Sequence, residues 1–359
     1  MRRNFLHFLN LLWQSILFWT FAMFCYAIFR YFGLDQDVMY TLNKGITNKR
    51  AFLEPLTIIS IMGFGLGIVY AIVDFLFEKY ITKKISLGLS LLIKTFFHFI
   101  ATVLIVSTII TLVSKVVTVN VEIKPGWWLT EKRFWSALFY LIVCSLVLSF
   151  IKISTERFGK GMFFKILMGS YSNPKEEKRI LMFLDLKDST TIAESLGHQK
   201  YSQFIQDCFL DLNDVTNNYD AEIYQYVGDE AVLSWSYKTG LKNNNCIGVF
   251  FAFEEQRESR KDYYLKKYGV YPEFKAGLHG GPLMVAEVGS VRKELAYHGD
   301  VINTSARIQA ECNKYNVTIL LSEKLLTDLN IELSNSISLG SVLLKGKKQE
   351  VKIHTIKRF

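Results

Sequence analysis

Residues 181–191, LMFLDLKDSTT, put Asp185 at the end of an apolar run and follow it at once with a polar cluster. A second carboxylate, Asp229, comes after Gly228 between two strand-like runs, AEIYQYV and EAVLSWS. If the fold brings the ends of those strands together, the two aspartates meet. Carboxylates held together repel unless a cation sits between them, and hard oxygen ligands suit Mg²⁺ or Mn²⁺. Each aspartate taken alone also has an ordinary structural explanation, Asp229 as a turn residue and Asp185 as a helix cap. A third element adds weight. In YHGDVINTSARIQAECNKY, Asn303 and Arg307 are four apart and project from one helical face. An amide beside a guanidinium suits a sugar and the charge of a phosphoryl group, although the same pair also fits a solvated helix face. Lys345, on a glycine-punctuated turn in LLKGKKQEVKIHTI, adds a cation. Taken together the set points to phosphoryl chemistry. No Ser/His/Asp or Cys/His arrangement competes with it.

These residues need a scaffold, and the pattern after Arg179 supplies one. RILMFLDL reads as a buried strand, STTIAESLGHQKYSQFIQDCFLDLNDVTNNY as a helix capped by Asp188 or Ser189, and AEIYQYV and EAVLSWS as a hairpin turning at Gly228-Asp229. A second helix over roughly 243–268 leads to two further strands, EFKAGLHG and PLMVAEVG. Strand–helix–strand–strand–helix–strand is the order of a ferredoxin-like α+β domain, in which the first strand and the hairpin tip are neighbours.

The first half of the chain is different. At 359 residues, 50% of them hydrophobic, the protein is too long for one ordinary domain and too apolar to be wholly soluble. The apolar excess lies in four stretches, near 11–29, 56–73, 95–113 and 134–151, each close to the ~20 residues that cross a bilayer. The first, LLWQSILFWTFAMFCYAIF, has no polar face to show water and no small-residue cleavage site behind it. Trp127, Trp128, Trp135, Tyr31 and Phe32 fall where interfacial aromatic belts are expected. Four spans with Arg2, Arg3, Lys79, Lys83 and Lys84 inside put both termini in the cytoplasm, against Lys44, Lys49, Arg50, Lys132 and Arg133 in the outer loops. Lys94 and His98 share one face of the third stretch, as a ligand or proton site would, or as a lysine snorkelling to the interface would. The expected organisation is a transmembrane domain over 1–151, a helical linker over 152–177 and a soluble domain over 178–359.

Composition excludes other classes. The net charge of +9 is what juxtamembrane lysines and arginines produce, so no nucleic acid partner is called for. The cysteines at 25, 144, 208, 246 and 312 form no CxxC pair, which suggests neither a disulfide framework nor a zinc site. A transporter is disfavoured, since the four stretches show no inverted repeat and no broken pair.

With these residues in view, positions from about 178 to 357 resemble the catalytic domain of the class III adenylate/guanylate cyclases. The resemblance rests on FLDLKDST, YVGDEAVL, GLHGGPLMVAEVG, GDVINTSARI and LLKGKKQEVKIHTI, in that order. It implies that Asp185 and Asp229, with the backbone carbonyl of Leu186, bind two Mg²⁺ or Mn²⁺ ions. By the same resemblance Asn303 orients the ribose, Arg307 stabilises the transition state and Lys345 holds the terminal phosphates. It further implies a homodimer with two shared active sites, the aspartates coming from one chain and the Asn/Arg pair from the other.

The chain departs from the family where the base is read. Adenylate cyclases of the family carry a lysine and an aspartate or threonine where this sequence has Gln225 and Ala296, and guanylate cyclases usually carry glutamate and cysteine. The expected substrate is ATP, converted to 3′,5′-cyclic AMP by a lyase anchored in the cell membrane, with its catalytic domain cytoplasmic and a role in intracellular signalling. The alternatives are a guanylate or pyrimidine nucleotide cyclase, and a catalytically inactive membrane receptor or scaffold.

Overall fold

A computed structural model describes residues 2–33, 50–80, 87–116, 129, 132–158, 162–291, 293–331 and 335–356. The chain divides into two compact units, Met1–Ile153 and Ser154–Phe359.

Long, mostly apolar runs form the described helices of the first unit: α1 (Arg2–Gly33), α2 (Arg50–Tyr80), α3 (Leu87–Val116) and α4 (Lys132–Phe158), the last running past the unit's end at Ile153. The polarity of this bundle is inverted. Phe21 and Phe139 are 67% and 70% exposed, whereas Asp74 is 2% exposed. Helices α1 and α2 approach through Gly63 and Gly67, four apart. A Cβ at Gly67 would lie 2.6 Å from the Ile16 Cα, so only a bare backbone permits the contact. Trp19, Met23, Tyr26, Leu66, Tyr70 and Leu141 pack together inside.

Among the described residues, three stretches are long and apolar enough to cross a membrane: Leu11–Phe29, Ile59–Phe77 and Phe134–Lys152. Four were expected. The missing one, near 95–113, lies in α3, whose apolar run among the described residues is the shorter Leu92–Ile105. Lys94 and His98 lie within it, and both turn to Asp74 of α2. Lys94 Nζ is 2.8 Å and His98 Nε2 3.2 Å from Asp74 Oδ1, while Lys152 Nζ of α4 donates to Asp74 Oδ2 at 2.7 Å. The Tyr70 ring stacks on His98 at 4.0 Å, and His98 Nδ1 lies 3.3 Å from Ser145 Oγ. Neither Lys94 nor His98 is therefore without a partner. Trp127, Trp128, Lys44, Lys49, Lys83 and Lys84 lie outside the described residues.

After the last residues of α4, the second unit continues with the short helix α5 (Met162–Leu167) and then a succession of strands and helices. Its elements are β1 (Lys175–Leu186), α6 (Ser189–Thr216), β2 (Glu222–Val227), β3 (Glu230–Ser236), α7 (Tyr237–Leu241), α8 (Asn245–Ser259), α9 (Lys261–Tyr268) and β4 (Phe274–Val288). They continue through β5 (Glu294–His298), α10 (Asp300–Tyr315), β6 (Ile319–Ser322), α11 (Glu323–Asp328), β7 (Ser336–Val342) and β8 (Val351–Ile356). The sheet runs β2-β3-β1-β4-β6-β8-β7, with β5 also on β4. Its first four strands have the order expected of a βαββαβ unit. Only the β4–β6 pairing is parallel among the ladders described.

Alternation along β1 divides its two faces. Ile180, Met182, Leu184 and Leu186 pack against Phe204, Cys208, Phe250, Phe253 and Tyr264 of α6, α8 and α9. Leu181 turns the other way, toward Tyr297 of β5 and Val301 of α10. Helix α10 comes unusually close to that second face. A Cβ at Gly277 of β4 would stand 2.2 Å from the backbone nitrogen of Gln309, so the approach requires glycine there.

Local details differ from the sequence expectation in four places. Asp188 does not cap α6 with its side chain. It adopts a left-handed conformation (φ 55°) to turn the chain out of β1, and offers its carbonyl to Ile192 N–H instead. Helix α6 is kinked at Gly197 (φ 69°, ψ 164°), and the helix expected over 243–268 breaks at Arg260 into α8 and α9. EFKAGLHG and PLMVAEVG form one strand, β4, rather than two. Its Gly280 and Gly281 provide clearance, not a turn: added Cβ atoms would lie 2.9 Å from the Tyr237 ring and 3.0 Å from Val301.

Candidate active site

The β2–β3 hairpin closes on Val227 paired with Glu230, so Gly228 and Asp229 are its two turn residues. Gly228 has φ 64°, the positive value such two-residue turns demand at their first position. Glu230 in turn lies opposite Asp185 in the β1–β3 ladder. The hairpin thus delivers Asp229 to the end of β1. The electrostatics register the meeting. Burial, and then the charge of Asp229, raise the proton affinity of Asp185, while Lys275 and a hydrogen bond from Gln309 oppose the rise. Glu230 is pushed up to about 7 by burial and by the charges of Asp185 and Asp229. The Tyr201 phenol is held up at about 12, by burial first and by Asp229 next.

Among the described residues no group of three or more His, Cys, Asp or Glu side chains is arranged to hold a metal ion by itself. The donor set nevertheless fits Mg²⁺, which binds through one or two carboxylates and completes its shell with water and substrate phosphates. A locus where the charge of Asp229 raises the proton affinity of Asp185 and Glu230 is one that a divalent cation would relieve. The carbonyl of Leu186, at the last position of β1, follows directly on Asp185.

Asn303 and Arg307 do share a face of α10, the first exposed and the second half-buried. The Arg307 guanidinium rests on the turn after β7, where a Cβ at Gly346 would be 3.5 Å from its Nη2. Lys345 is exposed on that turn, which the Lys347 N–H closes on the Leu344 carbonyl at 2.9 Å. Lys347 also donates to Asp300 at 2.7 Å, tying the turn to the start of α10. Asn303, Arg307 and the turn of Lys345 therefore form one group, and Asp185 with Asp229 another.

Within one chain the two groups face different ways. Gln309 Nε2 donates to Asp185 Oδ2 at 3.1 Å, which fixes the face of α10 turned to the aspartates. At about 100° per residue, Arg307 lies roughly 200° and Asn303 roughly 240° around the helix from Gln309.

Gln225 is exposed on the edge strand β2, and Ala296 is half-buried on β5, opposite Ala286. Their neighbours, rather than they, make the contact between these strands: Tyr224 and Tyr297 stack at 4.1 Å and 11°. The pairing of β2 slips between Ile223 and Gln225, a bulge that no spacing rule reveals. Arg179, 2% exposed, braces this region through Glu177, Glu222 and Ser234.

Sequence reasoning passed over Glu230, Lys275 and Gln309. Glu230 adjoins Asp229 and was open to notice. Lys275 and Gln309 become visible only through the β1–β4 register and the seating of α10.

Residues 171–358, more than half of the chain, match the family model described as the adenylate and guanylate cyclase catalytic domain. The chain belongs to this family. Among curated relatives, the chain is 32% identical over 219 residues to Adenylate cyclase 2 of Rhizobium meliloti (strain 1021), covering 61% of this chain and 60% of the relative. Adenylate cyclase 1 of the same organism is 24% identical over 181 residues, covering 49% of this chain and 27% of the relative. The chain thus spans less than two thirds of the length of either. A solved structure of a bacterial light-regulated adenylyl cyclase shares the fold, with a TM-score of 0.51 at 15% identity over 60% of this chain and 64% of the other.

Proposed function

We propose that this cyclase-family protein is a membrane-anchored adenylate cyclase converting ATP to 3′,5′-cyclic AMP and pyrophosphate. The observation that carries the reading is the meeting of Asp185 and Asp229 at the end of β1, where the charge of Asp229 raises the proton affinity of Asp185. Asp185, Asp229 and the Leu186 carbonyl would hold two Mg²⁺ or Mn²⁺ ions. Bound there, such ions supply acidification of the ribose 3′-hydroxyl and a grip on the triphosphate. Asn303 orients the ribose, and Lys345 holds the terminal phosphates from its exposed turn. Arg307 meets the charge that grows on the phosphoryl oxygens, a contribution typically worth ~10²–10³ in rate. Because the two groups lie on different sides of α10, a complete site is best assembled between two chains, with a twofold axis producing two such sites.

The test is direct. Purified protein is incubated with Mn²⁺ and each nucleoside triphosphate in turn, and the products are identified by mass. Cyclic AMP is the expected product, and absence of any cyclic nucleotide would favour an inactive receptor.

ATP is favoured by the names of both curated relatives. Gln225 keeps a guanine or pyrimidine reading open, since its amide both donates and accepts. If Gln225 and Ala296 read the base, Gln225→Lys combined with Ala296→Asp raises the ATP preference of the double variant by about tenfold, a shift worth ~1.4 kcal/mol. An unchanged product ratio would remove both residues from the base pocket.

The inverted bundle favours a bilayer around the first unit. Helix α3 would be its fourth crossing: 30 residues at ~1.5 Å each exceed a ~30 Å hydrocarbon core, and its charged groups turn inward to Asp74. Four crossings place both termini inside. Reporters after Lys49 and Lys124 are then expected outside the cell and those at residues 1 and 359 inside; an external carboxyl terminus would overturn the scheme.

A further inference from the structure

Lys275 lies directly opposite Asp185 in the antiparallel β1–β4 ladder, so both side chains emerge on the same face of the sheet. Opposite charges so placed ordinarily pair. A Lys275–Asp185 pair would cancel one of the two carboxylates that the proposed function requires for a cation. The ammonium goes elsewhere: Lys275 Nζ donates to Asn313 Oδ1 at 2.8 Å. The aspartate is held separately, its Oδ2 accepting from Gln309 Nε2 at 3.1 Å.

The two amides that keep these partners apart belong to one element. Gln309 and Asn313 are four residues apart on α10 and so project from the same face. That face is seated on β4, where Gly277 admits the Gln309 backbone. Lys275 and Gln309 are each only 7% exposed, so neither has much water to turn to instead. An amide engages a charge by hydrogen bonding without cancelling it. Asp185 is thereby oriented through one oxygen and keeps its negative charge.

We propose that Gln309 and Asn313 are positioning residues that hold Lys275 away from Asp185 and so keep that carboxylate open to a divalent cation. The inference rests on the function proposed above. It adds that the helix carrying Asn303 and Arg307 also governs, from its other face, how readily its own chain's aspartates accept a cation.

The test measures Mn²⁺ binding to the full-length protein in detergent without nucleotide, by the electron paramagnetic resonance signal of the free ion. Asn313→Ala leaves Lys275 without its acceptor, and Mn²⁺ affinity is expected to fall about tenfold. Lys275→Met in the Asn313→Ala background is expected to restore affinity to within about threefold of wild type, the coupling a double-mutant cycle isolates. Cyclase assays should show the same split, with more Mn²⁺ needed for half-maximal rate in Asn313→Ala but a near-normal kcat at saturation. A purely structural role for Asn313 would not be reversed by removing Lys275.

Unchanged affinity in Asn313→Ala, or a loss that Lys275→Met does not restore, overturns the inference. Should Asn313→Ala not fold, Lys275→Met alone decides. With Lys275 already held off, its removal should change Mn²⁺ affinity by less than about threefold, and a gain of tenfold or more would show that it competes even in the wild type. If the wild-type chain binds no Mn²⁺ through Asp185, this inference and the proposed function fall together. If the wild type binds and Asn313→Ala binds equally well, only this inference falls.

Discussion

Asp229→Asn is expected to lower cyclic nucleotide formation by a factor on the order of 10³ or more, with Mg²⁺ or Mn²⁺ alike, while the protein remains folded. The substitution preserves shape and removes one charge from the acidic locus at the end of β1. Asp229 occupies the second turn position of the hairpin, and Gly228 supplies the positive φ, so the turn itself does not depend on the carboxylate. Asp185 and Glu230 both sense the Asp229 charge unfavourably, and its loss eases their repulsion. A melting temperature at or slightly above that of wild type is therefore the expected companion of the lost activity. Turnover near the wild-type rate in a folded Asp229→Asn protein would remove the two-carboxylate basis of the proposed mechanism.

A second large effect is expected from mixing two inactive chains. Asp185→Ala removes a cation ligand, and Arg307→Ala removes the guanidinium from the opposite side of α10. Each variant alone should be nearly inactive. If every site draws its aspartates from one chain and its arginine from the partner, a mixed dimer has one site with both lesions and one with none. Random pairing makes about half the dimers mixed, so co-expression should recover about a quarter of wild-type activity. No recovery, with both chains folded and associated, would mean that each site is built within a single chain.

Most of the catalytic unit's strand order was legible because its strands alternate cleanly and its hairpin carries Gly228-Asp229, a pair with few other uses. The juxtaposition of Asp185 with Asp229 followed from that order. The Asn303/Arg307 face was legible from spacing alone, since helical geometry is local. What escaped depends on two elements at once. Gly280-Gly281-Pro282 reads as a turn until β1 is seen to pair through it, and the glycines serve Tyr237 and Val301 instead. Lys275 becomes part of the site only when the ladder sets it across from Asp185, and Gln309 only when α10 settles on Gly277. The surroundings of Gln225 depend on a bulge that its composition does not announce. In the first unit, Lys94 and His98 were visible as unusual residues, but their partner Asp74 lies on another helix.

That partner sets the mechanics of the bundle. The Asp74 carboxylate receives Lys94 and His98 from α3 and Lys152 from α4, so one buried anion is a common fastening for three helices. Displacing α3 along α2 by a single residue, ~1.5 Å, would strain the short ammonium contact. Displacement by a full turn would strand a charge in apolar surroundings, at several kcal/mol. Rotation or tilting of the three helices as one body leaves every bond intact. Sliding α3 or α4 along α2 therefore breaks this fastening, whereas reorientation of the three together preserves it.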